Sequence, residues 1–137
     1  MSSNRFVLAV LAGFVAIFAV GFVLYGVVVA DFLAANQGSA VNGMKDPPDY
    51  VHLALGQLVM ALYLTVVIGK WARVSGAGAG FRIGAISGLL IGLGVDLTMF
   101  GVSNLSNINA TLVDPLIMMV QMGVAGAAIG AVLSPQS

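Results

Sequence analysis

Between Phe81 and Phe100 the chain reads FRIGAISGLLIGLGVDLTMF, 20 residues with one cation at Arg82 and one carboxylate at Asp96. Coiled as a helix with ~1.5 Å rise per residue, this stretch crosses the ~30 Å hydrocarbon core of a bilayer. Backbone polar groups inside lipid must be satisfied within the segment, which makes such a span helical. Gly84, Gly88 and Gly92 recur at i+4 steps and form a strip along which a second helix can approach closely. Asp96 is the next position on that strip. An ionisable residue inside a spanning helix is a functional-site hypothesis by default.

Composition extends this argument to the whole chain. Of 137 residues, 60% are hydrophobic and 7% are charged, against roughly a quarter charged in a soluble domain. So few charges cannot solvate a globule of this size, and most of the surface must face lipid. The formal net charge is zero and there is no basic run, which argues against a nucleic-acid partner. The absence of cysteine excludes thiol catalysis, disulfides and thiolate metal sites.

Hydropathy divides the chain into four spans, about 6–30, 47–71, 81–100 and 111–133, within one domain, 1–137. The first is too long for a signal-peptide core, although Val28 and Ala30 before Asp31 resemble a small-residue cleavage site. The second is predicted to start with Asp46 as N-cap, Pro47 in the first helical position and Asp49 in the first turn. It is predicted to end in an interfacial anchor of Lys70, Trp71 and Arg73. Ser75 to Gly80 reads as a flexible connection, and Gly101 to Asn109 as a polar loop. The fourth span is predicted to start either with a capping box from Thr111 to Asp114, or with Asp114 as N-cap and Pro115 behind it. It carries a second pair of small residues four apart, Gly126 and Gly130. Asp-Pro at the start of both even spans and an aspartate near the end of both odd ones hint at a duplicated hairpin.

Lys70, Arg73 and Arg82 flank the second connection and Arg5 precedes the first span. The first connection holds Lys45 with Asp31, Asp46 and Asp49. Lys/Arg bias therefore predicts an all-α, antiparallel bundle of four transmembrane helices with both termini in the cytoplasm. In that orientation Asp96, His52, Asp31 and Asp114 all fall in the outer half and form a candidate polar cluster. Such a cluster can tie helices together by hydrogen bonds or handle a proton or cation, with Asp96 titrating and His52 relaying. One histidine among carboxylates is a poor zinc site, and a lone His52 near a helix end is weak grounds for a haem or pigment ligand, so no metal or cofactor is predicted. There is no nucleophile–base spacing and no phosphate loop, so no enzymatic activity is predicted.

Several stretches resemble a known group: Tyr25-Gly26 with Asp31-Phe32, Met44-Lys45-Asp46-Pro47-Pro48, Gly69-Lys70-Trp71-Ala72, Gly94-Val95-Asp96-Leu97-Thr98-Met99, and Ala110-Thr111-Leu112-Val113-Asp114-Pro115. Together they resemble small four-helix bacterial membrane proteins of unknown function. The resemblance implies a bacterial inner membrane and no particular activity. Small multidrug exporters fit less well, because the first span has no deep carboxylate. Fluoride channels also fit less well, because their Asn- and Phe-rich pattern is missing from the middle spans.

The sequence thus predicts a non-enzymatic, multi-pass protein of the bacterial inner membrane. Its partners would be the lipid bilayer and copies of itself or other membrane subunits. Glycine-lined helices at Gly84, Gly88, Gly92, Gly126 and Gly130 predict helix packing, with small-residue surface left over for a homo-oligomer or a larger complex. The alternative is a small proton- or ion-coupled transporter or channel using the intramembrane Asp96.

Overall fold

The computed structural model describes residues 1–135. It is all-α. Four helices are long and apolar enough to cross a membrane: α1 (Ser3–Val28), α3 (Tyr50–Trp71), α4 (Ala77–Val102) and α5 (Ile108–Leu133). A short helix, α2 (Ala30–Ala35), follows α1. This is the helix set of a multi-pass membrane protein. The last turns of α1, Leu24–Val28, and of α3, Val67–Trp71, widen into π-helix.

Three helix starts differ from the sequence expectation. α3 begins at Tyr50, capped by Asp49, whose carboxylate accepts the His52 backbone N–H at 3.2 Å. Asp46 does not cap it, because a residue before proline is pushed out of the helical region and Pro47 precedes Pro48. α5 begins a full turn before the predicted Thr111 or Asp114 caps. Asn107 is its N-cap and its side chain accepts the Ala110 N–H at 3.0 Å. Pro115 consequently lies inside α5, where it leaves the Thr111 carbonyl without its usual i+4 donor. α4 begins at Ala77, inside the stretch predicted as a flexible connection. The Gly76 N–H donates to the Gly130 carbonyl at 2.8 Å, with Gly76 at φ +96°. That bond anchors the start of α4 on the end of α5, and Gly76 supplies a backbone conformation that other residues rarely adopt.

α5 is the central helix. In its most apolar stretch 50% of residues are buried, against 17% in α4 and 22% in α3. On one side α5 carries α4, and every buried residue of α4 is a glycine: Gly80, Gly84, Gly88 and Gly92. As α4 runs from Gly80 to Gly92, the facing positions on α5 run back from Gly126 through Met122 and Met118 to Pro115. A Cβ on Gly84 would run into the Met122 carbonyl oxygen, and one on Gly80 into that of Gly126. The relation is reciprocal, since Gly126 faces the Gly80 carbonyl and Gly130 that of Gly76. Gly92 meets Met118 and Pro115, and Gly80, Gly84, Gly88, Gly126 and Gly130 each point a Cα hydrogen at a carbonyl across the seam. Such contacts contribute ~0.5–1 kcal/mol each, and they are possible only where no side chain intervenes.

On its other side α5 packs on α1, and α3 packs mainly on α1. The core there is built from Ala9 and Ile17 of α1, Ala61, Leu64 and Ile68 of α3, and Met122, Ala125, Ile129 and Leu133 of α5. The α1 positions Ala9, Gly13, Ile17 and Gly21 are all buried. Ile129 seats on Gly13 and the Gln121 amide lies over Gly21, from where its Nε2 donates to the Ile17 carbonyl at 2.9 Å. The α4 and α5 glycines thus meet each other. Gly80, Gly84 and Gly88 of α4 and Gly126 and Gly130 of α5 are thereby engaged within the chain, while Gly56 and Gly94 face open space.

Substituting across this seam should divide sharply by position. Gly84→Ala is expected to lower stability by about 1–3 kcal/mol, the usual cost of overpacking. Gly94→Ala, where a Cβ meets open space, should leave stability unchanged or raise it by up to about 1 kcal/mol. Thermal unfolding of the purified variants in detergent checks both.

Candidate functional site

Asp96 lies six residues before the end of α4 at Val102, and Asp114 six residues after the start of α5 at Ile108. At ~1.5 Å per residue each carboxyl group sits about 9 Å from its helix end. The seam sets them level. Gly92 packs against Pro115; Asp96 lies one turn beyond Gly92 on α4 and Asp114 immediately before Pro115 on α5, so both stand at this end of the seam. The carboxyl group of Asp96 lies against that of Asp114. The Tyr25 hydroxyl, in the π-turn of α1, reaches Asp114 with Asp96 close behind it. Asp96 is half-buried as a residue, but its Oδ2 is fully enclosed and has no hydrogen-bond partner.

This arrangement has a definite chemistry. Two facing carboxylates repel when both are ionised, and the repulsion grows where water is excluded. A proton shared between them, or a bound cation, removes it. A buried oxygen without a donor costs ~1–3 kcal/mol, so Asp96 Oδ2 is a place where a proton or cation lowers the energy of the structure. Tyr25 contributes a hydroxyl that can donate to Asp114 or accept from a donor.

Of the four residues predicted to cluster, the structure brings together Asp96 and Asp114 and leaves His52 and Asp31 apart. Because α3 starts at Tyr50, His52 is in its first turn. Its side chain is 79% exposed and its Nδ1 is 2.7 Å from Asp49 Oδ2. Asp31 is exposed in the first turn of α2, beyond the break that ends α1 at Val29. The three aspartate and one histidine positions therefore do not make one site, and among the described residues no group of three His, Cys, Asp or Glu side chains is placed to hold a metal ion.

Tyr25 is not among the site residues that the sequence predicts. A usable signal was present. The buried α1 positions Ala9, Gly13, Ile17 and Gly21 step by four, and one more step arrives at Tyr25.

Near the site, the two connections at this end are joined. The Asn36 amide Nδ2 donates to the Phe32 carbonyl at 2.8 Å, and its Oδ1 accepts from Asn107 Nδ2 at 2.9 Å and Asn109 Nδ2 at 3.3 Å. Backbone bonds from Gly38 to Leu105, Ala40 to Asn104 and Asn107 to Asn36 complete a short bridge around Gln37 and Ser106. The polar loop 101–109, which holds the N-cap of α5, is thus tied to residues 36–40 behind α2.

No family model, curated protein or solved structure matches this chain.

Removing the Asn36 side chain should loosen this end alone. Asn36→Ala deletes three hydrogen bonds, each worth about 0.5–1.5 kcal/mol net. Hydrogen exchange should speed up in residues 36–40 and 103–107, while amides along the glycine seam keep their protection.

Proposed function

We propose that this protein handles a proton or a small cation in the membrane, with the Asp96–Asp114 carboxyl pair as the binding group and Tyr25 as its hydrogen-bonding neighbour. The observation that carries this reading is the enclosed Asp96 Oδ2, which has no partner and lies on a residue whose carboxyl group faces a second one. Glycine packing alone would be served equally well by an apolar side chain at either position, so the carboxyl pair calls for a role of its own. His52 takes no part in this version of the mechanism, since it is paired with Asp49 at the surface. The reading is non-enzymatic, because no nucleophile with an adjacent base accompanies the pair.

The same reading places the four spans as an antiparallel bundle in a bacterial inner membrane, with both termini and the 72–76 connection in the cytoplasm. Charge sorting supports this orientation. Arg5, Lys70, Arg73 and Arg82 belong to the end formed by the start of α1, the end of α3 and the start of α4, while Asp31, Asp46 and Asp49 belong to the connection at the opposite end. Cysteines introduced at Ser39 and Ser75 test it. A membrane-impermeant thiol reagent applied to intact cells should label Ser39→Cys and not Ser75→Cys, and the reverse pattern would overturn the orientation.

A second reading, a packing or accessory subunit of a homo-oligomer or larger membrane complex, draws support from one observation. α3 and α4 are mostly uncovered along their lengths, with 22% and 17% of their most apolar stretches buried. Asp96→Asn and Asp114→Asn discriminate between the two. If the protein moves protons or cations, either variant abolishes flux in proteoliposomes while changing thermal stability little. Unaltered flux together with a lowered melting temperature would favour the packing subunit instead.

A further inference from the structure

The end of the molecule opposite the carboxyl pair concentrates positive charge. The start of α1, the end of α3, the start of α4 and the end of α5 meet there, as the contacts of Gly69 with Met1 and Leu133 and the bond from Gly76 to Gly130 show. Four of the chain's five cationic side chains lie at this end: Arg5, Lys70, Arg73 and Arg82. All the Asp residues lie toward the other end, and among the described residues no acidic side chain pairs with any of the four. Lys70 instead places its Nζ 5.0 Å from the centre of the Phe6 ring, a contact that leaves its charge uncancelled.

Two hollows open at this end and share Arg5. One is a small recess whose lining includes Arg5, Gly69, Arg73 and Ser75. The other is a long groove between α1 and the last turns of α5, running from Arg5 past Leu8, Val15 and Ala19, with Val132 and Pro135 on its far wall. From Arg5 to Ala19 it extends for about 21 Å along α1, which exceeds the ~15 Å depth of one leaflet of hydrocarbon. A cationic recess opening into an apolar groove at leaflet depth matches one kind of molecule, with a negative head and a long hydrocarbon tail.

We infer that this end of the protein binds an anionic phospholipid, with its headgroup phosphate between Arg5 and Arg73 and one acyl chain along the α1–α5 groove. The arginines supply charge-assisted donors suited to phosphate oxygens, and basic recesses between spanning helices are a recurrent form of lipid headgroup site. The site is independent of the carboxyl pair, and its occupancy does not depend on transport.

The test uses the full chain, purified in a mild non-ionic detergent and stripped of lipid. Adding phosphatidylglycerol should raise the melting temperature and give a retained one-lipid adduct in native mass spectrometry, whereas phosphatidylcholine should do neither. Arg5→Gln and Arg73→Gln should each weaken retention about fivefold, as loss of one interfacial cation predicts. Val15→Trp, at a position 63% exposed, should weaken it by filling the groove with every charge kept. Lys45→Gln, at the other end, should leave retention unchanged. Equal retention of the two lipids, or wild-type retention by the Arg5→Gln/Arg73→Gln double variant, would overturn the proposal. Stabilisation by inorganic phosphate matching that by phosphatidylglycerol would also overturn it, by showing that the groove takes no part.

Discussion

The close approach of two backbones along the α4–α5 seam is the contact on which the rest of this structure depends. Inside a bilayer, burying apolar side chains between helices gains little, because lipid tails are as apolar as leucine. What remains is dispersion at short range and the weak attraction of Cα hydrogens for carbonyl oxygens. Gly80, Gly84 and Gly88 face the carbonyls of Gly126, Met122 and Met118, and Gly126 and Gly130 return the contact to Gly80 and Gly76. No fully buried large side chain of α4 takes part. The position, register and height of α4 therefore follow from where glycines occur, and so does the level meeting of Asp96 with Asp114.

Much of this was legible in the sequence. The four spans were evident because helices long enough to cross a bilayer have few alternatives, and the glycine strips were evident because a period of four admits one face. The mutual pairing of the strips was not, since two small-residue faces in one chain can equally meet each other or another protein. The helix starts were misread for local reasons. Pro47 stands before Pro48 and cannot take a helical conformation easily, and Asn107 caps α5 a turn before the more conspicuous Asp114-Pro115 pair. Of the candidate site, the two aspartates that meet were both named from the sequence, because an acidic residue within an apolar run stands out. Placing His52 and Asp31 beside them needed depth along the helix to stand in for position around it. Distance from the membrane centre puts residues at one level without making them neighbours.

Several polar side chains within the spans have a definite partner. Thr65 closes on the Ala61 carbonyl of its own helix, Gln121 reaches across to α1, and Thr111 bonds both Asn107 and Ser106 at the head of α5. Against this background of satisfied groups the single enclosed atom without a partner, Asp96 Oδ2, stands apart among the described residues. The charged groups are sorted too, with four of the five cations gathered at one end and the carboxylates, with Lys45, toward the other. A protein with a formal net charge of zero thus carries a pronounced dipole along its long axis.

The central place of α5 also sets an order of events during synthesis. Chains emerge N-terminus first, so α1 and α4 enter the bilayer before the helix that both pack against is made, while α3 already has α1 beside it. Until then the Ile17 carbonyl has no Gln121 amide, Gly13 has no Ile129 to receive, and the glycines of α4 face lipid. Completion of the last span supplies a partner to α1 and α4 together. The α1–α3 pair and α4 are joined only by this last span, and a chain that stops before residue 108 keeps the α1–α3 contact alone.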